Sequence, residues 1–340
     1  MIEDIALTDD QAAIAAMAGK SFAACRNLAP HEIAARLAGD GLLGMMADEA
    51  SGGLGLDASA AWMVTRAAGS ALLAYPLAEA IAAAWCATRL DGLDLASFAD
   101  GSAIATVCWK ADIICQRDGA WLASGVAPRV ASAPIADHLV FGSGDGMFVV
   151  DLASAGVSTT SAIELDLERP YGDVVLENVP VLQIGTPEDA EAFGSLGAIL
   201  RTADMLGAAE VASAAACDYA ANRRQFGKPL SGQQIVATDL ARDHYRLECV
   251  RTSVAYAAIA WDAGQADSAE ACDIASSLAA DMLPTVVENA IQIHGAMGFT
   301  WDLPLHRSLR RVRTAAAIAP ASDIREALAA RLLHRWAEAG

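Results

Sequence analysis

Two segments of this 340-residue chain hold side chains suited to a phosphorylated dinucleotide: RRQFGKPLSGQQ, starting at Arg223, and IQIHGAMGFTWDLPLHRSLRR, starting at Ile291. Arginine presents a planar fork that matches phosphate oxygens two at a time, and the amides of Gln225, Gln234 and Gln292 add neutral hydrogen bonds. Gly227, Gly295 and Gly298 let backbone N–H groups come within bonding range of a ligand. Each segment interrupts a helical pattern, so its polar groups fall at helix ends. The plain alternative for Arg223 is an ion pair on a helix surface, and for His294 a hydrogen bond inside the fold. Phe226, Gly227 and Gln234 in register behind Arg223 favour the nucleotide. DEASGGLGLD (Asp48–Asp57) is glycine-rich too, but no strand precedes it, so it reads as a shaped loop and not as a phosphate loop.

The elements that must position these groups follow from composition and periodicity. With 54% hydrophobic residues and a mean hydropathy of +0.33 the chain has material for a large core. The formal charge of −19, from 23 basic against 42 acidic residues, opposes binding to nucleic acid and to anionic membranes. Seven cysteines without CxxC spacing fit a reducing cytoplasm. The acidic start MIEDIALTDDQ has no signal-peptide pattern, and no apolar run reaches the roughly 20 residues of a membrane span.

The expected order is α, then β, then α. Residues 1–100 read as a helical domain, 101–186 as an antiparallel β-domain and 187–340 as a four-helix bundle, an α+β fold overall. The turns at Gly144–Gly146 and at Asp118–Gly119 predict hairpins.

On these residues the chain resembles the acyl-CoA dehydrogenase family over nearly its whole length. Arg223, Gln225, Phe226, Gly227, Pro229 and Gln234 match the family's R-x-QFG-x-P-(x)4-Q signature. Gln292, His294, Gly295 and Gly298 match its Q-x-HG-x-x-G element, which Arg310 follows. GDGLLGMMADEASGGLGLD is similar to the N-terminal element, without its usual proline near Ala47 or Asp48. The resemblance implies FAD, with its ADP half held between subunits. Arg223 would take the pyrophosphate and Phe226 would pack near the adenine or ribose. Gln225, Gln234 and His294 would complete the cofactor contacts. Gln292, Gly295 and Ala296 would approach a neighbouring subunit's cofactor, with Ala296 standing where a glycine is common.

The family's reaction removes a proton beside a thioester carbonyl while a hydride leaves the next carbon for the flavin. It requires a base, usually a desolvated Glu. By resemblance one family branch places that Glu where this chain has Ala319, and another where it has Leu200, just before Arg201. Neither residue accepts a proton. Asp323 and Glu326 lie nearby in sequence, on one helix face, but four to seven residues displace a carboxylate by about 6 to 10 Å. The family's Thr-Glu-Pro turn and Gly-Ser element, which touch the flavin ring, are also missing: AIATVCWK runs directly into ADIICQRDGAW. Cys108 and Trp109 there read as core residues. The cluster Arg307, Arg310, Arg311, Arg313 reads more readily as a salt-bridged helix face than as a CoA site.

The resemblance therefore implies the base-free chain of an α2β2 assembly with one complete site per pair, as in actinobacterial steroid-degrading members. An acyl-CoA with a bulky, steroid-like acyl group would be its substrate. Two alternatives stand beside it: a self-sufficient homo-oligomeric dehydrogenase with a displaced base, and a non-enzymatic helical scaffold with a relic clamp.

Overall fold

The computed structural model describes residues 9–87, 96–162 and 165–339. These form two compact units, one made of the residues through Val64 together with Leu73–Gly197, the other of Thr65–Leu72 together with the residues from Ala198 onward.

The first unit opens with helices α1 (Asp9–Ala24), α2 (Pro30–Gly39), α3 (Ala58–Ser70), α4 (Leu77–Ala87) and α5 (Ala96–Ala99), of which α3 crosses into the second unit at Thr65. Proline at the first position of α2 has its φ preset for a helix, and the Glu32 carboxylate accepts the Ala29 N–H at 2.8 Å. Every residue of α4 is buried, as expected of a helix that is apolar all round. The helical reading extended to about Leu95, but 88–95 lie outside the described residues.

Strands β1 (Ala105–Cys108), β2 (Asp112–Asp118), β3 (Ala120–Ala131), β4 (His138–Ser143), β5 (Gly146–Asp151), β6 (Val157–Ala162) and β7 (Tyr171–Gly185) form a seven-stranded sheet. Its order is β1-β4-β5-β7-β3-β2, with β6 also on β7. Both expected hairpins are present. Gly119, at φ 72°, turns β2 into β3, and Ser143 pairs with Gly146 across the tip of β4–β5. One ladder departs from the antiparallel reading: β1 lies parallel to β4, because the chain makes the β2–β3 hairpin before returning beside β1. Phe141 and Phe148 stack at 5.8 Å in the core with Val174, Leu176 and Val179.

The second unit is built on α6 (Pro187–Asn222), α7 (Gln234–Asp262), α8 (Ser268–His294), α9 (Leu305–Ile318) and α10 (Ala321–Ala339), with the part of α6 before Ala198 belonging to the first unit. A two-stranded hairpin, β8 (Arg224–Gln225) with β9 (Lys228–Pro229), separates α6 from α7. The end of α3 lies directly on α6. A Cβ at Gly207 would sit 1.9 Å from the Arg66 carbonyl oxygen, and one at Gly69 would sit 2.0 Å from that of Asp204. Only glycine permits such an approach. Glu210 then ties three helices together, accepting from Arg66 at 2.6 Å and from Arg251 of α7 at 2.6 and 3.1 Å. α10 is held on α8 by Arg325 to Asp281 (2.9 Å) and Arg335 to Glu270 (2.6 Å).

Candidate cofactor clamp

Arg223 directly follows the last turn of α6, its N–H donating to the Tyr219 carbonyl at 2.8 Å and its own carbonyl accepting from Leu230 at 2.8 Å. Those two bonds fix the base of the hairpin. Gln225 pairs with Lys228, so Phe226 and Gly227 are the two turn residues, at φ 51° and 80°. Two positive φ values define a type I′ turn, which suits the twist of flanking strands but favours Asn or Gly at both positions. A phenylalanine held there costs about 1 to 2 kcal/mol. Its ring gains nothing from the protein in return, being 93% exposed. Strain of this kind is characteristic of sites that meet a ligand or partner. The Arg224 guanidinium donates to the Gly227 carbonyl at 3.2 Å and closes the turn. That of Arg223 is exposed and has no hydrogen bond or ion pair among the described residues. Gln225 and Gln234, the latter opening α7, are exposed as well.

The second segment ends α8. Gln292 and Ala296 are exposed, and His294 and Gly298 are buried. Gly295 caps the helix at φ 61°, ψ −138°, a conformation open in practice only to glycine, and a Cβ on it would meet nothing within 4 Å. Gly298 serves packing instead: a Cβ there would lie 2.4 Å from the Ile291 carbonyl oxygen. Beyond it Phe299 and Trp301 are exposed, the latter at 70% with the Arg310 guanidinium 5.6 Å above its ring.

The His294 ring does not face solvent. It stacks on Tyr219 at 4.5 Å and 27°, which places the last turn of α6, just before Arg223, against the end of α8. Tyr219 is the group that motif reading missed; its only sequence signal is its place one turn before Arg223. An exposed guanidinium, two glycine turns open on one side and exposed amides fit a diphosphate and the planar groups attached to it.

The two positions that the resemblance assigns to a base have different surroundings. Leu200 is fully buried in α6, and Ala319 is a half-buried residue just past α9. One turn on from Leu200, the Asp204 carboxylate is bound through both oxygens by Arg311 Nη1 at 3.2 and 3.4 Å. Arg311 is 1% exposed and Asp204 4%, so this carboxylate is both occupied and sealed. Asp243 on α7 is also sealed. Burial pushes its carboxyl above the ordinary aspartate value against the opposing hydrogen bonds from Asn289 (2.9 Å) and Arg246 (2.8 Å), which share one oxygen. Asp323 and Glu326 are solvent-exposed on α10.

In the arginine cluster, Arg311 pairs with Asp204, Arg313 pairs with Glu288 and Arg310 lies over Trp301. In the first unit, only Trp109–Ala111 separate β1 from β2, so no long turn exists there. Trp109 stacks on Phe193 at 5.0 Å, and its indole N–H points to Glu79 at 3.5 Å. Among the described residues no group of three His, Cys, Asp or Glu side chains could hold a metal ion, and no helix is long and apolar enough to cross a membrane.

Residues 193–334, which contain both signature segments, match the profile of the acyl-CoA dehydrogenase C-terminal domain. The chain is 28% identical over 247 residues to a 3-(aryl)acrylate reductase of Clostridium sporogenes, covering 67% of this chain and 63% of that one. It is 29% identical over 212 residues to the glutaryl-CoA dehydrogenase of Desulfococcus multivorans, covering 57% and 54%. These matches thus span 63% and 54% of the two relatives' lengths, less than two thirds of either. The fold is shared more widely. The Tcur3481-Tcur3483 steroid ACAD superposes with a TM-score of 0.89 at 24% identity, and the ChsE4-ChsE5 complex from Mycobacterium tuberculosis with 0.88 at 22%, each over 97% of this chain and 99% of the other. An FADH2-bound glutaryl-CoA dehydrogenase of Mycobacterium smegmatis gives 0.84 at 18%, over 96% and 95%. Both signature segments thus lie inside the stretch that matches the acyl-CoA dehydrogenase C-terminal domain, and the chain shares its fold from end to end with these solved structures.

Proposed function

We propose that this chain is the subunit of a hetero-oligomeric acyl-CoA dehydrogenase that grips the ADP half of an FAD, while a second, catalytic chain carries the base. The observation that carries the reading is Arg223, exposed and unpaired at the foot of a strained hairpin, in a chain whose base positions hold Leu200 and Ala319. FAD, when bound, supplies hydride acceptance in the α,β-dehydrogenation of an acyl-CoA. This chain's residues bind and orient. Arg223 neutralises the pyrophosphate, Phe226 offers a flat apolar surface to the adenosine, and Gln225, Gln234 and Gln292 supply neutral hydrogen bonds. Gly295 and Ala296 allow close backbone approach. No side chain here has a proton-transfer role, so the partner removes the proton. Two of the matched folds come from assemblies named for two unlike proteins, Tcur3481-Tcur3483 and ChsE4-ChsE5, which supports a hetero-oligomer and, through the word steroid in the first, a bulky acyl group.

Replacing Arg223 by alanine in the co-expressed complex tests the assignment. Removing the charged partner of a bound phosphate weakens binding by about 2 to 5 kcal/mol. The purified complex is therefore expected to lose its flavin; an unaltered flavin-to-protein ratio would reject the role of Arg223.

A further inference from the structure

We infer that His294 is a positioning residue, joined to Tyr219, that holds the two halves of the clamp at a fixed spacing without touching the cofactor itself. The inference rests on the clamp reading above and gives it an internal part. His294 is the last residue of α8 and is only 7% exposed. Its Nδ1 lies 2.7 Å from the Ala290 carbonyl oxygen. A carbonyl can only accept, so Nδ1 carries the proton; this bond fixes the ring's orientation and tautomer.

The ring so held stacks on Tyr219, whose carbonyl receives the Arg223 N–H at 2.8 Å. One aromatic contact thereby joins the turn that presents Arg223 to the turn that presents Gln292 and Gly295. No hydrogen bond or ion pair among the described residues connects 222–234 with 291–301, so the stack carries this coupling without polar support. Histidine suits the task in two ways. Its flat ring packs on the phenol, and its Nδ1–H anchors it to its own helix, whereas an aliphatic side chain does neither.

The test uses the complex with its partner chain and two readouts. The first is amide hydrogen exchange at residues 223–229 in the flavin-free protein, and the second is flavin retention on dilution. In His294→Ala, exchange at 223–229 is expected to rise about three- to tenfold, the range of an aromatic pair, with a similar loss of flavin affinity. His294→Phe, which keeps the stack, is expected to recover most of both. Tyr219→Leu reaches the same contact from α6 and must reproduce His294→Ala; it also keeps the inference testable if His294→Ala fails to fold. Unchanged exchange at 223–229 in both variants overturns the inference. So does exchange rising evenly along α8, or His294→Phe behaving as His294→Ala, since either marks an ordinary packing role. Should Arg223→Ala lose its flavin while His294→Ala retains it, the coupling is wrong and the clamp stands. If both retain it, the clamp reading itself has failed.

Discussion

The hairpin at Arg223 and the helix turn at Leu200 belong to the same packed unit, yet they are built on opposite principles. At the hairpin a guanidinium is left unpaired, an aromatic ring is fully exposed, and the backbone holds an unfavourable φ to keep it so. Around Leu200 the chain is closed to solvent: the side chain is buried, and the nearest acid along the helix is occupied by a buried arginine, although Thr202 Oγ1 is buried there without a hydrogen-bond partner among the described residues. The first arrangement turns its groups toward solvent. The second is closed to it. On the proposed function, the contrast is that of a fold that keeps the electrostatics for a cofactor and lacks the acid–base group that would use it, because the two depend on different helix segments.

Two substitutions probe each side of this contrast. The larger effect is expected from Asp204→Ala, which removes the buried carboxylate paired with the Arg311 guanidinium. Breaking such a pair from one side costs about 3 to 5 kcal/mol, read as a lower midpoint in urea denaturation. A loss under 1 kcal/mol would mean that solvent reaches this region and that the closed description is wrong. Phe226→Gly should act in the opposite direction on stability. Relief of the positive φ stabilises the chain by about 1 kcal/mol, while loss of the ring weakens flavin retention severalfold. A variant that gained stability with unchanged flavin affinity would remove Phe226 from the clamp.

The sequence made some of this legible and not the rest, and the division is one of range. The hairpins at Gly119 and at Gly144–Gly146 depend on one or two residues whose φ preferences are strong, so they could be read directly. The same holds for the glycines that end α8 and turn the 226–227 hairpin. The parallel β1–β4 ladder was not legible, since it joins strands some thirty residues apart across an intervening hairpin. Arg311 lay within an arginine cluster that read as a charged helix face. Its burial could have been anticipated, because it stands three residues from each of the buried Ser308 and Thr314. Its partner Asp204, 107 residues away in the chain, could not. Nor could the Tyr219–His294 stack: motif matching identified the histidine as one of the cofactor residues, and only tertiary packing turns its ring inward.

The most direct measurement of the central claim compares flavin content and acyl-CoA-dependent flavin reduction for this chain expressed alone and together with a second family chain that has both the base and the Thr-Glu-Pro turn. The division of labour argued above predicts a colourless, inactive protein alone and a yellow complex whose flavin is reduced on adding an acyl-CoA. A chain that is yellow by itself and reduced by an acyl-CoA without any partner would contradict it.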